Sequence, residues 1–379
     1  MARKRGQNEG SIFKRSDGRW AASIDLGWRN GKRHRKCFYA VTRAEVQQQL
    51  TAALRANQLG LLVAPERQTV RQFFDRWLVE SAKPTLRPLT FQRYGQLLRI
   101  HILPALGRIP LAKLGPHHVQ QFMNDKLKAG LSPRTVEFCH AVIRSALKQA
   151  ERWGLVPRNV ATLVDAPRVR RSEVEPLTPD DARQFLEVVA NDRSGALYTV
   201  ALACGLRRGE ALGLRWEDVD LESGALTVRH ALQRINGKLQ LVEPKTARSR
   251  RTIPLPDVAI AAIRRHRVGQ LEERLLAGSR WRDTGFVFTT RIGTPFDERS
   301  VSRRFHLALA RAGLAPQRFH DLRHTCASLL LAQGVHARLV METLGHSQIG
   351  LTMNTYSHVM PSLLREAASK MDGILSGKK

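Results

Sequence analysis

His320-Asp321-Leu322-Arg323-His324-Thr325, then a stretch of helical pattern, then Leu344-Gly345-His346-Ser347 and Asn354-Thr355-Tyr356-Ser357-His358 form the part of the chain on which the reading turns. On a helix, His320 and Arg323 stand at i and i+3 and project from one face. Gly334 and Gly345 are breakers that return the chain, so that His346 and Tyr356 can join them. An arginine, two imidazoles and a phenol in one pocket suit chemistry on an anionic oxygen ligand such as a phosphodiester. Taken singly, each has a plainer reading: Tyr356 as a core aromatic, His324 as a packing residue, the arginine as half of an ion pair.

Composition narrows the field. The 379 residues suggest two or three domains, and an apolar fraction of 42% is ample for packed cores. Lys and Arg number 62 against 33 Asp and Glu, a formal net charge of +29 that points to a polyanionic partner. Charge alone leaves a merely basic, ribosome-associated factor open. No apolar run reaches the roughly 18 residues of a membrane span. Met1-Ala2-Arg3-Lys4-Arg5-Gly6 leads into polar sequence rather than a signal peptide. Cys37, Cys139, Cys204 and Cys326 lack metal or redox spacing and read as reduced thiols of a cytosolic protein.

Over residues 11–41, Trp20, Ala22, Ile24 and Leu26 alternate with Ala21, Ser23 and Asp25, the period of a half-buried strand. Ser16-Asp17-Gly18 and Asn30-Gly31 are hairpin turns on either side, and a third strand runs through Lys36 to Val41. Thr42 and Glu45 form a capping box for a helix that runs on to about Gly60. This unit, residues 1–64, holds 13 Lys and Arg against 4 Asp and Glu, or +9, with Lys32, Arg33, Arg35 and Lys36 clustered beside the second turn. A three-stranded sheet fits a major groove while basic residues grip phosphates; a solvated basic hairpin is the bland alternative.

After Pro65 the pattern becomes helical. Thr69 caps a helix with Val70, Phe73, Phe74, Trp77 and Leu78 on one stripe. Further helices are expected over about 90–103, ending before Pro104, over about 116–129, and from Ser132-Pro133 onward. Residues 166–176 are polar and bounded by prolines, an interdomain linker. Thr178-Pro179-Asp180-Asp181 opens another helix, one over about 194–204 follows, strands are expected between 225 and 255 around an Asn236-Gly237 turn, and helices dominate from about 257. The fold class is mainly α with small β elements.

The order His-x-x-Arg, Leu-Gly-His, Tyr resembles the second conserved box of the tyrosine recombinase (phage integrase) family. Cys204-Gly205-Leu206-Arg207-Arg208-Gly209-Glu210 resembles the element carrying that family's first arginine, and Pro244-Lys245-Thr246 before Arg251-Thr252-Ile253-Pro254 resembles its basic β-turn and next strand. Leu106 to Leu111 and Leu131 to Thr135 resemble the family's helical core-binding domain, and the basic front unit resembles its arm-site binding domain. Together these strings are far more specific than any one of them.

The resemblance implies an arm-type DNA-binding domain (1–64), a SAM-like core-binding domain (65–165), a linker (166–176) and a mixed α/β catalytic domain with a tail helix (177–379). It implies Arg207, Lys245, His320, Arg323, His346 and the nucleophile Tyr356 as catalytic residues, with Glu210 orienting Arg207. Arg208, where the family often has an apolar residue, is a candidate extra phosphate contact. No metal and no other cofactor are implied. The implied partners are duplex DNA at attachment sites, three further copies of the chain, a host DNA-bending factor and an excision factor, in a bacterial cytoplasm. A type IB topoisomerase uses the same groups, and a non-catalytic DNA-binding relative is a third reading. A metal-dependent nuclease needs clustered carboxylates that are not near these arginines. His320 and His324 have the i, i+4 spacing of a zinc pair, but Arg323 lies between them and no His-Glu-x-x-His glutamate is present.

Overall fold

The computed structural model describes residues 10–29, 32–58, 68–169, 175–244, 249–345 and, in the tail, 368–369, 371–372 and 375–376. The chain divides into two compact units, Met1–Arg171 and Ser172–Lys379. Most of the expected C-terminal tail helix and the Asn30-Gly31 turn lie outside the described residues.

The first unit contains two separate cores. Strands β1 (Ser11–Lys14), β2 (Trp20–Arg29) and β3 (Lys32–Ala40) form an antiparallel sheet in that order. Helix α1 (Arg43–Gln58) packs on it through Val46 and Leu50 against Ala22 and Ile24. The first turn closes as its sequence demands: Gly18 takes φ +82°, and its N–H donates to the Arg15 carbonyl at 3.1 Å. Thr42 and Glu45 form the expected reciprocal cap, each backbone N–H donating to the other's side chain at 3.3 Å. The strict alternation of β2 fails at Ala21, which is buried although it faces away from Ala22. In register it stands between Phe13 and Tyr39, whose larger side chains flank and shield a methyl group.

The second core is all helix. It comprises α2 (Val70–Trp77), α3 (Lys83–Thr85), α4 (Pro88–Leu97), α5 (Leu103–Leu106), α6 (Pro116–Lys128) and α7 (Pro133–Arg152). Phe73, Phe74 and Trp77 are buried, each ring stabilising the fold by roughly 1.5–3 kcal/mol through area removed from water. Phe73 meets Trp153 edge to face at 6.0 Å. The helix expected to stop before Pro104 does not. A wide turn over Leu98–Ile102 joins α4 to α5, with the Leu103 N–H reaching back five residues to the Leu98 carbonyl. The shift in register leaves Pro104 in the first turn of α5, where its missing N–H has no obligation.

In the second unit, Thr178 and Asp181 form a capping box at the start of α8 (Pro179–Val189). Helix α9 (Gly195–Ala203) is buried along almost its whole length, and α10 (Arg208–Leu212) follows after four residues. Strands β4 (Val219–Asp220), β5 (Ala225–Val228), β6 (Ala231–Ile235), β7 (Lys238–Val242) and β8 (Arg251–Pro254) make a β4-β5-β8 sheet and a β6-β7 hairpin. Asn236 and Gly237, both at positive φ, turn that hairpin. Helices α11 (Asp257–Ala277), α12 (Glu298–Arg311), α13 (Asp321–Ala332) and α14 (Ala337–Leu344) complete the unit. Phe185, Tyr198, Phe305 and Phe319 interlock at 5.5–6.2 Å between ring centres, pinning α8, α9, α12 and the segment before α13 together.

Candidate active site

The site begins at the end of α9. Gly205 takes φ +59°, a conformation costly for any residue with a Cβ, and turns the chain toward Arg207. Arg207 caps α10 in an extended conformation. Its backbone N–H donates to Glu210 Oε2 at 3.1 Å and its Nη1 to Glu210 Oε1 at 2.6 Å, while Nη2 donates to the Gly345 carbonyl at 3.2 Å. Glu210 sits at N3, so its carboxylate also offsets the positive end of a short helix.

Glu210 is 4% exposed. Burial alone pushes its carboxyl up, but the Arg251 and Arg207 guanidiniums outweigh that and hold it below the usual carboxylate range. Arg251, at the start of β8, donates from Nη2 to Glu210 Oε2 at 3.0 Å and from Nε to the Thr343 carbonyl at 2.6 Å. Sequence reading places Arg251 at the head of the strand after the Lys245 turn and gives it no role of its own. Its position as the first residue of the strand following that turn is the one signal that sets it apart.

Arg323 lies in the first turn of α13 and is 2% exposed. Its Nη1 donates to the Gly205 carbonyl at 2.8 Å, which ties the second arginine to the turn presenting the first. Asp321, also buried, accepts three bonds from the Arg318 backbone N–H, Nε and Nη2 at 2.8–3.1 Å, fixing the entry to α13. Thr325 Oγ accepts the Leu177 N–H at 3.1 Å, so the segment leading into α8 is anchored on the same helix.

His320 is not inside the helix with Arg323, as the i, i+3 spacing implies, but caps it at φ −67°, ψ −21°. By surface area the residue is exposed. The surrounding protein nonetheless pushes the imidazole pKa down to about 4, first by desolvation, then through His324, Arg323 and Arg207, with Asp321 acting in the opposite direction. The His320 and His324 rings meet edge to face at 5.3 Å. Among the described residues no group of three His, Cys, Asp or Glu comes together to hold a metal ion. Burial pushes the Cys204 and Cys326 thiols up to about 12, which removes them as nucleophiles at neutral pH.

The structure therefore brings Arg207, Glu210, His320 and Arg323 together. Lys245, His346 and Tyr356 lie outside the described residues. Arg208 is paired with Glu298 and donates to Ser302 Oγ at 3.1 Å, bracing α10 on α12. In the first unit Arg35 is exposed opposite Asp25, and Lys36 lies 5.5 Å from the Phe38 ring centre; Lys32 and Arg33 lie on β3, their side chains outside the description.

Residues 175–362 match the phage integrase family, and residues 69–127 match the phage integrase N-terminal SAM-like domain. A tyrosine recombinase XerC-like protein of Caldanaerobacter subterraneus subsp. tengcongensis is 30% identical over 364 residues, covering 91% of this chain and 93% of its own. An integrase of Streptomyces ambofaciens is 30% identical over 394 residues, covering 99% and 98%. Among solved structures, the Tn1549 transposon integrase in complex with transposon right end DNA has a TM-score of 0.68 at 22% identity, covering 79% of this chain and 100% of that one. A lambda integrase dimer bound to a COC' core site has a TM-score of 0.58 at 16% identity, covering 93% and 96%. These two establish the fold, and the sequence relatives establish the kinship. The chain belongs to the tyrosine recombinase (phage integrase) family, and it is a site-specific DNA recombinase.

Proposed function

We propose that the chain integrates, and excises, a phage or other mobile element by cutting duplex DNA at attachment sites and rejoining it through a 3′-phosphotyrosyl bond to Tyr356. A tyrosine phenol has an ordinary pKa of about 10, so at neutral pH it needs assistance to attack phosphorus. Arg207 and Arg323 hold the nonbridging oxygens of the scissile phosphate and neutralise the charge that builds up at the transition state, a class of contact worth about 3–4 kcal/mol each. His320, neutral at physiological pH, accepts the phenolic proton and then lies against the phosphate. Lys245 protonates the departing 5′ oxygen, and His346 donates a second hydrogen bond. The phosphotyrosyl bond keeps the energy of the phosphodiester, so rejoining needs no ATP. Guanidiniums supply the neutralisation that a metal would give.

The observation that carries this reading is the convergence of three groups. Arg323 is bonded to the carbonyl two residues ahead of Arg207, and His320 feels both guanidiniums. The relatives' complexes with transposon-end and core-site DNA support the same partner here. We extend the reading to the division of labour: residues 1–64 bind arm sites, 65–165 grip the core site, 166–176 link, and 177–379 perform chemistry. Four copies assemble on the two sites, aided by a host DNA-bending factor and an excision factor, in the cytoplasm of a bacterium.

The test is a suicide duplex, nicked beside the cleavage point of the element's own junction, incubated with the full chain and EDTA. An EDTA-resistant covalent protein–DNA adduct, absent in Tyr356→Phe, is the expected result. Strong binding of the junction with no adduct overturns the enzymatic reading. Adduct formation that EDTA abolishes overturns the metal-free one. Relaxation of plasmids lacking attachment sites, at a rate matching the junction, assigns the topoisomerase class instead.

A further inference from the structure

The Arg251 side chain is 7% exposed, and each of its three guanidinium nitrogens donates to a different residue. Nε donates to the Thr343 carbonyl at 2.6 Å, Nη1 to the Ser249 carbonyl at 3.2 Å and Nη2 to Glu210 Oε2 at 3.0 Å. Glu210 is the carboxylate that clamps Arg207. Thr343 is in the last turn of α14, two residues ahead of Gly345, whose carbonyl accepts the other end of the Arg207 guanidinium. Arg207 is therefore held at two points, and Arg251 grips the structure behind both of them.

We propose that Arg251 is a positioning residue for the recombination reaction, setting the posture of the Arg207 guanidinium through Glu210 on one side and the Thr343–Gly345 turn on the other. Only a planar fork serves. Three acceptors lie around it in different directions, and an ammonium presents its donors from one point on a flexible stem. Without Arg251, Glu210 has one cation where it had two, and is drawn toward Arg207 rather than braced against it. At the same time the α14 turn loses a buried donor to its last carbonyls. A displacement of about 1 Å at a group that meets the reacting phosphate is enough for a loss of about 10²-fold.

The inference rests on Arg207 meeting the scissile phosphate, so its test has one readout in the free protein and one in the reaction. In the free full-length chain, the His320 imidazole is depressed in part by Arg207; His324, Arg323 and Asp321 are the other charged or titratable groups acting on it. The His320 midpoint, followed by NMR, should rise in Arg251→Lys and in Arg251→Gln, with thermal unfolding confirming that each variant is folded. An unchanged midpoint in a folded variant overturns the proposal, whether or not the wild type forms an adduct. In single-turnover cleavage, Arg251→Lys should lose about 10²-fold on the ordinary phosphodiester, with junction affinity within about two-fold of wild type. On a methylphosphonate at the scissile position, which lacks one nonbridging charge and so asks less of Arg207, most of the deficit should disappear. An equal deficit on both substrates marks a merely structural role and overturns the proposal. A wild type that forms no adduct, while the His320 shift is present, refutes the chemistry proposed for Tyr356 and leaves the positioning of Arg207 established.

Discussion

Substituting Gly205 by alanine tests the idea that the turn between α9 and Arg207 is the mechanical centre of the site. Two costs can be worked from the structure. At φ +59° an alanine bears about 1–2 kcal/mol of backbone strain. Its Cβ also falls 2.3 Å from Leu344 Cδ2 and 3.3 Å from Cys326 Sγ, and Leu344 is fully buried with Cys326, Leu331 and Val340. Overpacking of that kind costs about 1–3 kcal/mol more. Gly205→Ala should therefore lose about 2–5 kcal/mol in urea denaturation. The damage should not be confined to stability. The Gly205 carbonyl accepts Arg323, and Leu344 immediately precedes Gly345, whose carbonyl accepts Arg207, so one added methyl displaces both guanidiniums. Adduct formation per folded molecule should fall about 10²-fold. The double mutant separates strain from clash. Leu344→Ala alone opens a cavity at a cost of about 2–5 kcal/mol. Combined with Gly205→Ala it makes room for the new methyl, so the double mutant should be about 1–3 kcal/mol more stable than the sum of the singles. Additivity within about 0.5 kcal/mol, or full cleavage activity in the folded single mutant, would refute this reasoning.

His320 gives a prediction in pH. Its folded pKa of about 4 lies below the unfolded value of about 6.5, so the unfolded chain takes up the proton first. The contribution to stability is complete above pH 6.5 and is lost as pH falls toward 4. An NMR titration of the free protein should place the His320 midpoint near 4, and a phosphodiester bound beside it should raise it; a midpoint near 6.5 in the free protein contradicts the site geometry. Asp321→Asn leaves the Arg318 fork one acceptor short and should cost about 1–3 kcal/mol, read from denaturant melts against Arg318→Ala. Thr178→Ala removes the half of the capping box in which the hydroxyl accepts the Asp181 N–H and should cost about 1 kcal/mol with no change in the adduct rate; a large drop in rate would mean that α8 is coupled to the site.

What the sequence discloses about this protein follows the range over which each interaction acts. Thr42 with Glu45, Thr178 with Asp181 and Ser132 before Pro133 are legible because a cap is complete within four residues. The Asn236-Gly237 hairpin is legible for the same reason, since positive φ is a property of single residues. Glu210 is legible as the partner of Arg207 because an N-cap residue and the acid three positions on meet at any helix start. Pro104 misleads because its rule assumes an unbroken α register, and the wide turn at Leu98–Ile102 changes that register before the proline is reached. Ala21 misleads because its burial depends on Phe13 and Tyr39, which reach it only through strand pairing. The partner of Arg208 is another matter: only the packing of α10 on α12 brings Glu298 to it, which no local pattern announces. The bond from Arg323 to the Gly205 carbonyl spans 118 positions, and those of Arg251 to Glu210 and Thr343 span 41 and 92. Residue types thus announce the chemistry, while the placing of each guanidinium is settled by carbonyls and carboxylates that no local pattern brings into view. Substitutions at Gly205, Glu210 and Arg251 should accordingly perturb the site as strongly as changes in the residues whose chemistry the sequence makes plain.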